Sequence, residues 1–128
     1  MREIKFRAWF EKFKEMYTVK MIDLQKEIAY FDKYNYRSFY DIDLMEYTGL
    51  KDKNNKEIYE GDIVIHHSKM YKIIFNAKEA RFVLRDDEFE LEIPFTNNNN
   101  KRMEIVGNIY EDSELLGVNK WIHLKWKN

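Results

Sequence analysis

Alternation of apolar and polar residues predicts β-strands along most of the chain. Residues 4–9 read IKFRAW, so apolar side chains recur at every second position, as on the buried face of a strand. The alternation returns at residues 17–21, after the polar stretch 11–15. The two segments therefore predict a β-hairpin at the beginning of the sequence. Further strands are predicted at residues 27–31, 36–47, 102–110 and 120–126.

The most specific prediction concerns the hairpin in residues 79–94. If Asp86 and Asp87 form a two-residue turn, Arg81 and Arg85 face glutamates across the two strands on the outer side. The opposite side then collects apolar residues, which we expect to be buried: Phe82, Leu84, Phe89, Leu91 and Ile93.

A second hairpin is predicted between Ile63 and Phe75. Its turn is expected at Ser68 and Lys69, where the apolar pattern is interrupted. Apolar residues occupy both faces of the two strands, so we expect this hairpin to lie near the centre of its sheet.

Only one short segment carries a helix signal. Asp112 or Ser113 can cap a single helical turn, and Gly117 can end it in the left-handed conformation. Nine Tyr, nine Phe and three Trp are residues that favour strands. The sequence therefore predicts an all-β fold of antiparallel strands and hairpins, with at most one short helical turn.

The segment 47–64, YTGLKDKNNKEIYEGDIV, is interpreted as scaffold. Gly49 and Gly61 flank a polar turn, at positions where a residue without Cβ can adopt a positive φ. Asp62 follows a glycine and is expected to accept hydrogen bonds from turn N–H groups.

Composition excludes several classes of function. The chain has no cysteine, which excludes disulfides, thiolate metal sites and a cysteine nucleophile. The 22 basic residues are balanced by 23 acidic ones, so a general positive excess for binding nucleic acid is absent. No signal peptide or apolar membrane span is recognisable in the sequence. We therefore expect a cytoplasmic protein that has no cofactor and no membrane partner.

Candidate metal and catalytic residues do not converge in the predicted strands. His66 and His67 are adjacent on a strand, which would direct them to opposite faces, and His123 could join one of them only through the fold. An acidic set is interpreted as a solvated surface with arginine partners and not as a Mg²⁺ site. Its members are Asp86, Asp87, Glu88, Glu90 and Glu92. We predict no catalytic, cofactor-binding or metal-binding residue and no enzymatic activity.

Two binding hypotheses remain. The first is a protein-interaction module that forms a homo-oligomer and engages another protein. The alternative is an accessory protein that would bind nucleic acid through the basic and aromatic residues 1–20 and the tail 120–127. The candidate interaction surface comprises Trp9, Phe10, Trp121 and Trp126.

Four segments resemble the YopX family of phage and prophage proteins. They read REIKFRAW at residues 2–9, LMEYTGLKDKNNKEIYEGDIV at 44–64, FVLRD at 82–86 and EIVGNIYEDSELL at 104–116. The resemblance implies an all-β fold with an SH3-like barrel in the C-terminal half, encoded by a phage of Gram-positive bacteria and located in the cytoplasm of the host bacterial cell, with no assigned activity. It also implies that the interaction module of the first hypothesis engages a host or phage protein, and that the nucleic-acid-binding alternative is an accessory protein of phage replication or regulation.

The resemblance also implies how the chain is organised. Residues 1–128 would be a single YopX-like domain, with a soft division into an N-terminal hairpin region, 1–46, and the barrel region, 47–128. The motif residues are interpreted as structural: Tyr47, Gly49, Tyr59, Gly61, Asp62, Gly107, Asn108 and Tyr110.

Overall fold

The computed structural model describes residues 2–116, and these form antiparallel sheets joined by short turns. The all-β prediction is confirmed. The predicted helical turn is present at residues 113–116, and two 3-10 turns, Phe39–Asp41 and Asn100–Arg102, accompany the strands. The predicted strand at 120–126, with Trp121, His123 and Trp126, lies outside the described residues, as does Gly117.

The chain separates into two compact units, Met1–Gly49 and Leu50–Asn128. In unit 1, β1 is the central strand between β2 and β6, and β3, β4 and β5 form a separate three-stranded sheet. The strands are β1 (Phe6–Phe10), β2 (Glu15–Thr18), β3 (Met21–Asp23), β4 (Ile28–Tyr30), β5 (Tyr36–Ser38) and β6 (Asp43–Lys51), which crosses the boundary. The predicted hairpin at the beginning of the chain is confirmed as β1 and β2.

Unit 2 contains β7 (Glu57–Tyr59) and a five-stranded antiparallel sheet. The strands of this sheet are β8 (Asp62–His66), β9 (Lys69–Asn76), β10 (Arg81–Asp86), β11 (Leu91–Pro94) and β12 (Glu104–Asn108). Their order in the sheet is β11-β10-β9-β8-β12. The SH3-like barrel that the resemblance implies stays a prediction.

Each unit has its own apolar core. The core of unit 1 is small and contains Ala8, Phe10, Ala29 and Ile42. The core of unit 2 is larger and contains Ile58, Val64, Tyr71, Ile73, Leu84, Phe95 and Met103.

The predicted register of the β10–β11 hairpin is wrong. Asp86 pairs with Leu91, so the loop has four residues, 87–90, and Arg85 faces Glu92. The cause is the carboxylate of Asp86, whose Oδ1 accepts the N–H of Glu88 at 3.0 Å and so begins a longer turn.

This longer loop changes which apolar side chains are buried. Leu84 is fully buried, and Phe82 and Ile93 are partly buried against the core, as predicted. Phe89 and Leu91, predicted to be buried, are 50% and 46% exposed. The loop carries Phe89, and Leu91 lies opposite Asp86 at the end of the ladder.

The β8–β9 turn is also displaced from its predicted position. His67 and Ser68 form it, with φ of 51° and 65°, and His66 pairs with Lys69. Two successive positive φ angles are typical of a type I′ turn, which matches the twist of a hairpin. The turn therefore begins one residue earlier than predicted.

A buried aspartate that the sequence analysis missed holds the polar turn 52–56 of unit 2. Asp52 is 3% exposed. Its Oδ1 accepts the N–H groups of Asn54 at 2.8 Å and Lys56 at 2.9 Å, and its Oδ2 accepts the N–H of Ile105 in β12 at 3.0 Å. One carboxylate therefore shapes the turn and ties it to an edge strand.

Substitution of two leucines tests the register of β10 and β11. Leu84→Ala is expected to lower the free energy of unfolding by about 2–5 kcal/mol, because a buried side chain leaves a cavity. Leu91→Ala is the matched control and should change it by less than about 1 kcal/mol, since the side chain is nearly half exposed. Urea denaturation of both variants measures the difference, and equal losses would contradict the register.

Substitution of Asp52 tests the role of its carboxylate. Asp52→Ala is expected to lower the free energy of unfolding by about 1–3 kcal/mol, because three part-buried hydrogen bonds lose their acceptor. Asp23→Ala is the control, because its Oδ1 accepts one N–H, that of Lys26, in an exposed turn. Thermal unfolding should show a much larger decrease in Tm for Asp52→Ala, and a decrease no larger than that of the control would refute the assignment.

Candidate functional site

The motif residues lie in turns and ladders of the scaffold. Gly49 and Gly61 have φ of 89° and 90°, which confirms the predicted positive φ. Gly61 donates its N–H to the carbonyl of Ile73 at 2.8 Å and accepts the N–H of Ile109 at 2.9 Å. Asp62 Oδ2 accepts the N–H of Tyr59 at 2.7 Å, also as predicted.

In the second motif, residues 107–112, side chains accept hydrogen bonds from backbone N–H groups of the same segment. Asn108 Oδ1 accepts the N–H groups of Tyr110 and Glu111, at 3.0 and 2.8 Å. Asp112 Oδ2 accepts the N–H of Asn108 at 3.1 Å. A Cβ at Gly107 would lie 2.6 Å from the same carboxylate oxygen, so only glycine fits beside it. These groups have structural partners in place of a ligand.

Three members of the acidic set in the β10–β11 hairpin, Asp86, Asp87 and Glu92, form ion pairs. Asp86 Oδ2 lies 2.6 Å from Lys69 Nζ, and Asp87 Oδ2 lies 2.6 Å from Lys72 Nζ. Hydrogen bonds from Lys72 and then Arg85 lower the pKa of Asp87. The expectation that all five acids are at the surface is wrong for Asp86, which is 8% exposed because it caps the turn from inside.

His66 and His67 do not point to opposite faces as predicted. Their ring centroids are 4.0 Å apart, because the positive φ of His67 takes this residue out of the strand alternation. Burial, followed by the charges of His67 and Arg102, lowers the pKa of His66, which keeps its ring neutral. Within residues 2–116, no group of three His, Cys, Asp or Glu side chains is placed to hold a metal ion.

The expected interaction surface at the beginning of the chain is not formed by the predicted rings. Trp9 and Phe10 are 2% and 7% exposed, and residues 8–10 of β1 are buried in succession, so both faces of this strand are covered. Trp9 Nε1 donates to Glu11 Oε2 at 2.6 Å, so its polar edge is satisfied as well. Trp121 and Trp126 lie outside the described residues.

Exposed aromatic side chains occur instead on the three-stranded sheet of unit 1. Met21, Tyr30 and Tyr36 occupy directly paired positions of β3, β4 and β5, and so form one row across the sheet. The rings of Tyr30 and Tyr36 are 5.4 Å apart. Met21 and Tyr36 are 55% and 51% exposed, and neighbouring Tyr34 is 79% exposed. We call this surface, with Lys20 and Lys33 beside it, the outer face.

The charged groups of the outer face differ in whether they have hydrogen-bond or ion-pair partners. Asp32 Oδ1 accepts the N–H groups of Tyr34 and Asn35, and Oδ2 accepts the side-chain amide of Asn35 at 2.6 Å. These hydrogen bonds, that of the Asn35 side chain first, lower the pKa of Asp32. Lys20 and Lys33 have no ion pair among the residues of the described range. Lys20, Asp32 and Lys33 line a shallow cleft of about 460 Å³, together with Met21 and Tyr30.

A second aromatic and basic surface lies on the other side of β5. Because successive side chains of a strand alternate, Arg37 points away from Tyr36 and stacks on Phe10, with 4.8 Å from its guanidinium carbon to the ring centroid. A cleft of about 570 Å³ opens there, which we call the Phe13–Tyr40 cleft. It is lined by Phe10, Lys12, Phe13, Arg37, Tyr40 and Asp41.

The sequence contained only a weak signal for these surfaces. The segments 27–31 and 36–47 were expected to be strands, yet runs of three residues offer too few alternations to fix which side chains point outwards.

Comparison with known proteins agrees with the sequence resemblance. No curated protein matches the chain. Among solved structures, it is similar to the crystal structure of protein EF1440 from Enterococcus faecalis, with a TM-score of 0.71 and 27% sequence identity. The similarity covers 91% of this chain and 99% of that one. The family model described as YopX protein matches residues 5–117, which is most of the sequence, and the chain therefore belongs to the YopX family.

Proposed function

We propose that the protein acts by binding, without a catalytic centre, and that its outer face binds a segment of another protein. The observation that supports this most is the row Met21–Tyr30–Tyr36, in which two of three apolar side chains are more than half exposed. Folding gains nothing from leaving such a row in water, and contiguous exposed apolar patches mark interaction sites. Tyrosine and methionine are also enriched in protein interfaces.

The charges beside the row indicate what kind of segment would bind. Lys20 and Lys33 are exposed cations, and the carboxylate of Asp32 is occupied by its own turn. The outer face therefore presents an apolar centre with unbalanced positive charge at its rim. Its complement is a segment that combines apolar side chains with Asp or Glu.

The size of the outer face favours a short segment over a second folded domain. Its three strands have three residues each, whereas a stable interface between folded proteins buries about 800 Å² on each partner. The homo-oligomer predicted from the sequence would therefore need further surface, and light scattering of the full chain tests it.

The origin and compartment of the protein belong to the same proposal. The protein would be encoded by a phage of Gram-positive bacteria and would lie in the cytoplasm of its host, and unit 2 would form an SH3-like barrel. The resemblance of residues 44–64 and 104–116 to the YopX family supports these proposals. Within the described range, no helix is long and apolar enough to cross a membrane.

Selection from a random peptide display library on the full chain tests the proposed binding. We expect enriched peptides that combine aromatic or aliphatic residues with acidic ones. Tyr36→Ser and Met21→Ser should each raise the Kd of a selected peptide by at least about tenfold, the size of effect that removal of a central anchor has in an interface. Fluorescence anisotropy measures the Kd.

Two controls make the result specific. Tyr40→Ser alters a side chain that is 85% exposed but lies outside the row, and should leave the Kd unchanged. The double variant Lys20→Gln/Lys33→Gln should weaken acidic peptides and reduce their salt dependence. Selected peptides without acidic residues, or binding that Tyr36→Ser leaves intact, would contradict the proposal.

A further inference from the structure

The Phe13–Tyr40 cleft presents aromatic rings and cations together. Phe13 and Tyr40 are 52% and 85% exposed, although both are large and largely apolar. Lys12 Nζ lies 5.8 Å from the centroid of the Phe13 ring, and Arg37 covers the ring of Phe10. Among residues 2–116, Asp41 is the single acidic residue that lines the cleft.

Local structure holds these rings in position. Phe13 lies in the β1–β2 turn, where its N–H donates to the carbonyl of Phe10 at 3.3 Å and the next residue, Lys14, has a φ of 54°. Its ring packs edge to face on Phe10, with centroids 5.1 Å apart. Tyr40 lies in a 3-10 turn that Ser38 caps, because Ser38 Oγ accepts the N–H of Tyr40 at 3.2 Å. The exposure of both rings is therefore a product of defined turns.

The charge of the cleft decides between two classes of ligand. Aromatic rings can surround a ligand cation, as in a cage for a methylated amine. Here the protein's own cations already lie over the rings of Phe10 and Phe13, so a ligand cation would meet repulsion from Lys12 and Arg37. An anionic ligand with a flat aromatic group fits both features, since it can stack on a ring and pair with the cations.

We propose that the Phe13–Tyr40 cleft binds one or more nucleotides of a single-stranded nucleic acid. Bases stack on Phe13 and Tyr40, and phosphates pair with Lys12 and Arg37. A duplex is disfavoured because its bases are already stacked on each other and offer no free faces. Proteins that bind single strands without sequence preference combine cations and exposed aromatic rings in this way.

The site is distinct from the proposed peptide-binding surface. Tyr36 and Arg37 are consecutive residues of β5 and point to opposite sides of the strand. The inference therefore goes beyond the proposed function, and variants of the two surfaces separate them.

Titration of the full chain with a fluorescein-labelled oligodeoxythymidine of twelve nucleotides tests the site. Tyr40→Ala should raise the Kd by about 5-fold to 100-fold, the range measured for loss of one stacking side chain. Lys12→Gln should reduce the slope of log K against log salt by about 0.7, the value for one phosphate contact on a single strand. Tyr36→Ser should leave both quantities unchanged.

Matched controls and competitors complete the test. Tyr34→Ala and Lys26→Gln remove an exposed tyrosine and an exposed lysine outside the cleft, and should have no effect. The proposal is overturned if the oligonucleotide does not bind at low salt, or if the controls weaken binding as much as Tyr40→Ala and Lys12→Gln. It is also overturned if duplex DNA, a free mononucleotide or a phosphotyrosine peptide binds as tightly as the single strand with the same dependence on Tyr40.

Discussion

Satisfaction of backbone N–H groups at the turns by polar side chains is the constraint on which unit 2 depends. A backbone N–H that is shielded from water and has no acceptor costs as much as a lost hydrogen bond, and short loops contain many N–H groups that no ladder pairs. Asp52 serves three such groups, Asp62 serves Tyr59 and Asn108 serves two more. Asn100 works in the opposite sense and donates its side-chain amide to the carbonyl of Lys51 at 2.6 Å. The polar residues that look like a site in the sequence are therefore parts of the scaffold.

Buried polar side chains and exposed apolar side chains are distributed differently between the two units. The buried polar residues in the described range all belong to unit 2: Asp52, Asp62, His66, Asp86, Asn100 and Asn108. Large apolar residues that are strongly exposed show the reverse distribution. Among residues 2–116, seven lie in unit 1 and three in unit 2, so the exposed apolar side chains of this range are concentrated in unit 1.

The class of fold and several details were predictable from the sequence, because alternation and turn residues are local signals. The β1–β2 hairpin, the positive φ of Gly61 and the hydrogen bond of Asp62 were predicted correctly. The registers around Asp86 and His67 were not, since turn length depends on whether a side chain captures a backbone N–H. The burial of Trp9 was missed for another reason: packing covers both faces of β1 at residues 8–10, and the alternation of apolar and polar residues does not reveal this.

The prediction also failed at the two surfaces that we propose for binding, and the reason lies in the three-stranded sheet. Strands of three residues form too few ladder hydrogen bonds to fix their own register, so side chains at the ends must do so. Asp23 caps the turn after β3, Asp32 the turn after β4, and Ser38 the turn after β5.

These caps determine more than local stability. A shift of one residue in β5 would exchange Tyr36 and Arg37 between the two sides of the sheet, and would place a cation in the apolar row and a tyrosine against Phe10. The outer face and the Phe13–Tyr40 cleft therefore depend on the same register. Both surfaces are properties of the capped sheet, and neither can be assigned from the order of residues 36–38 alone.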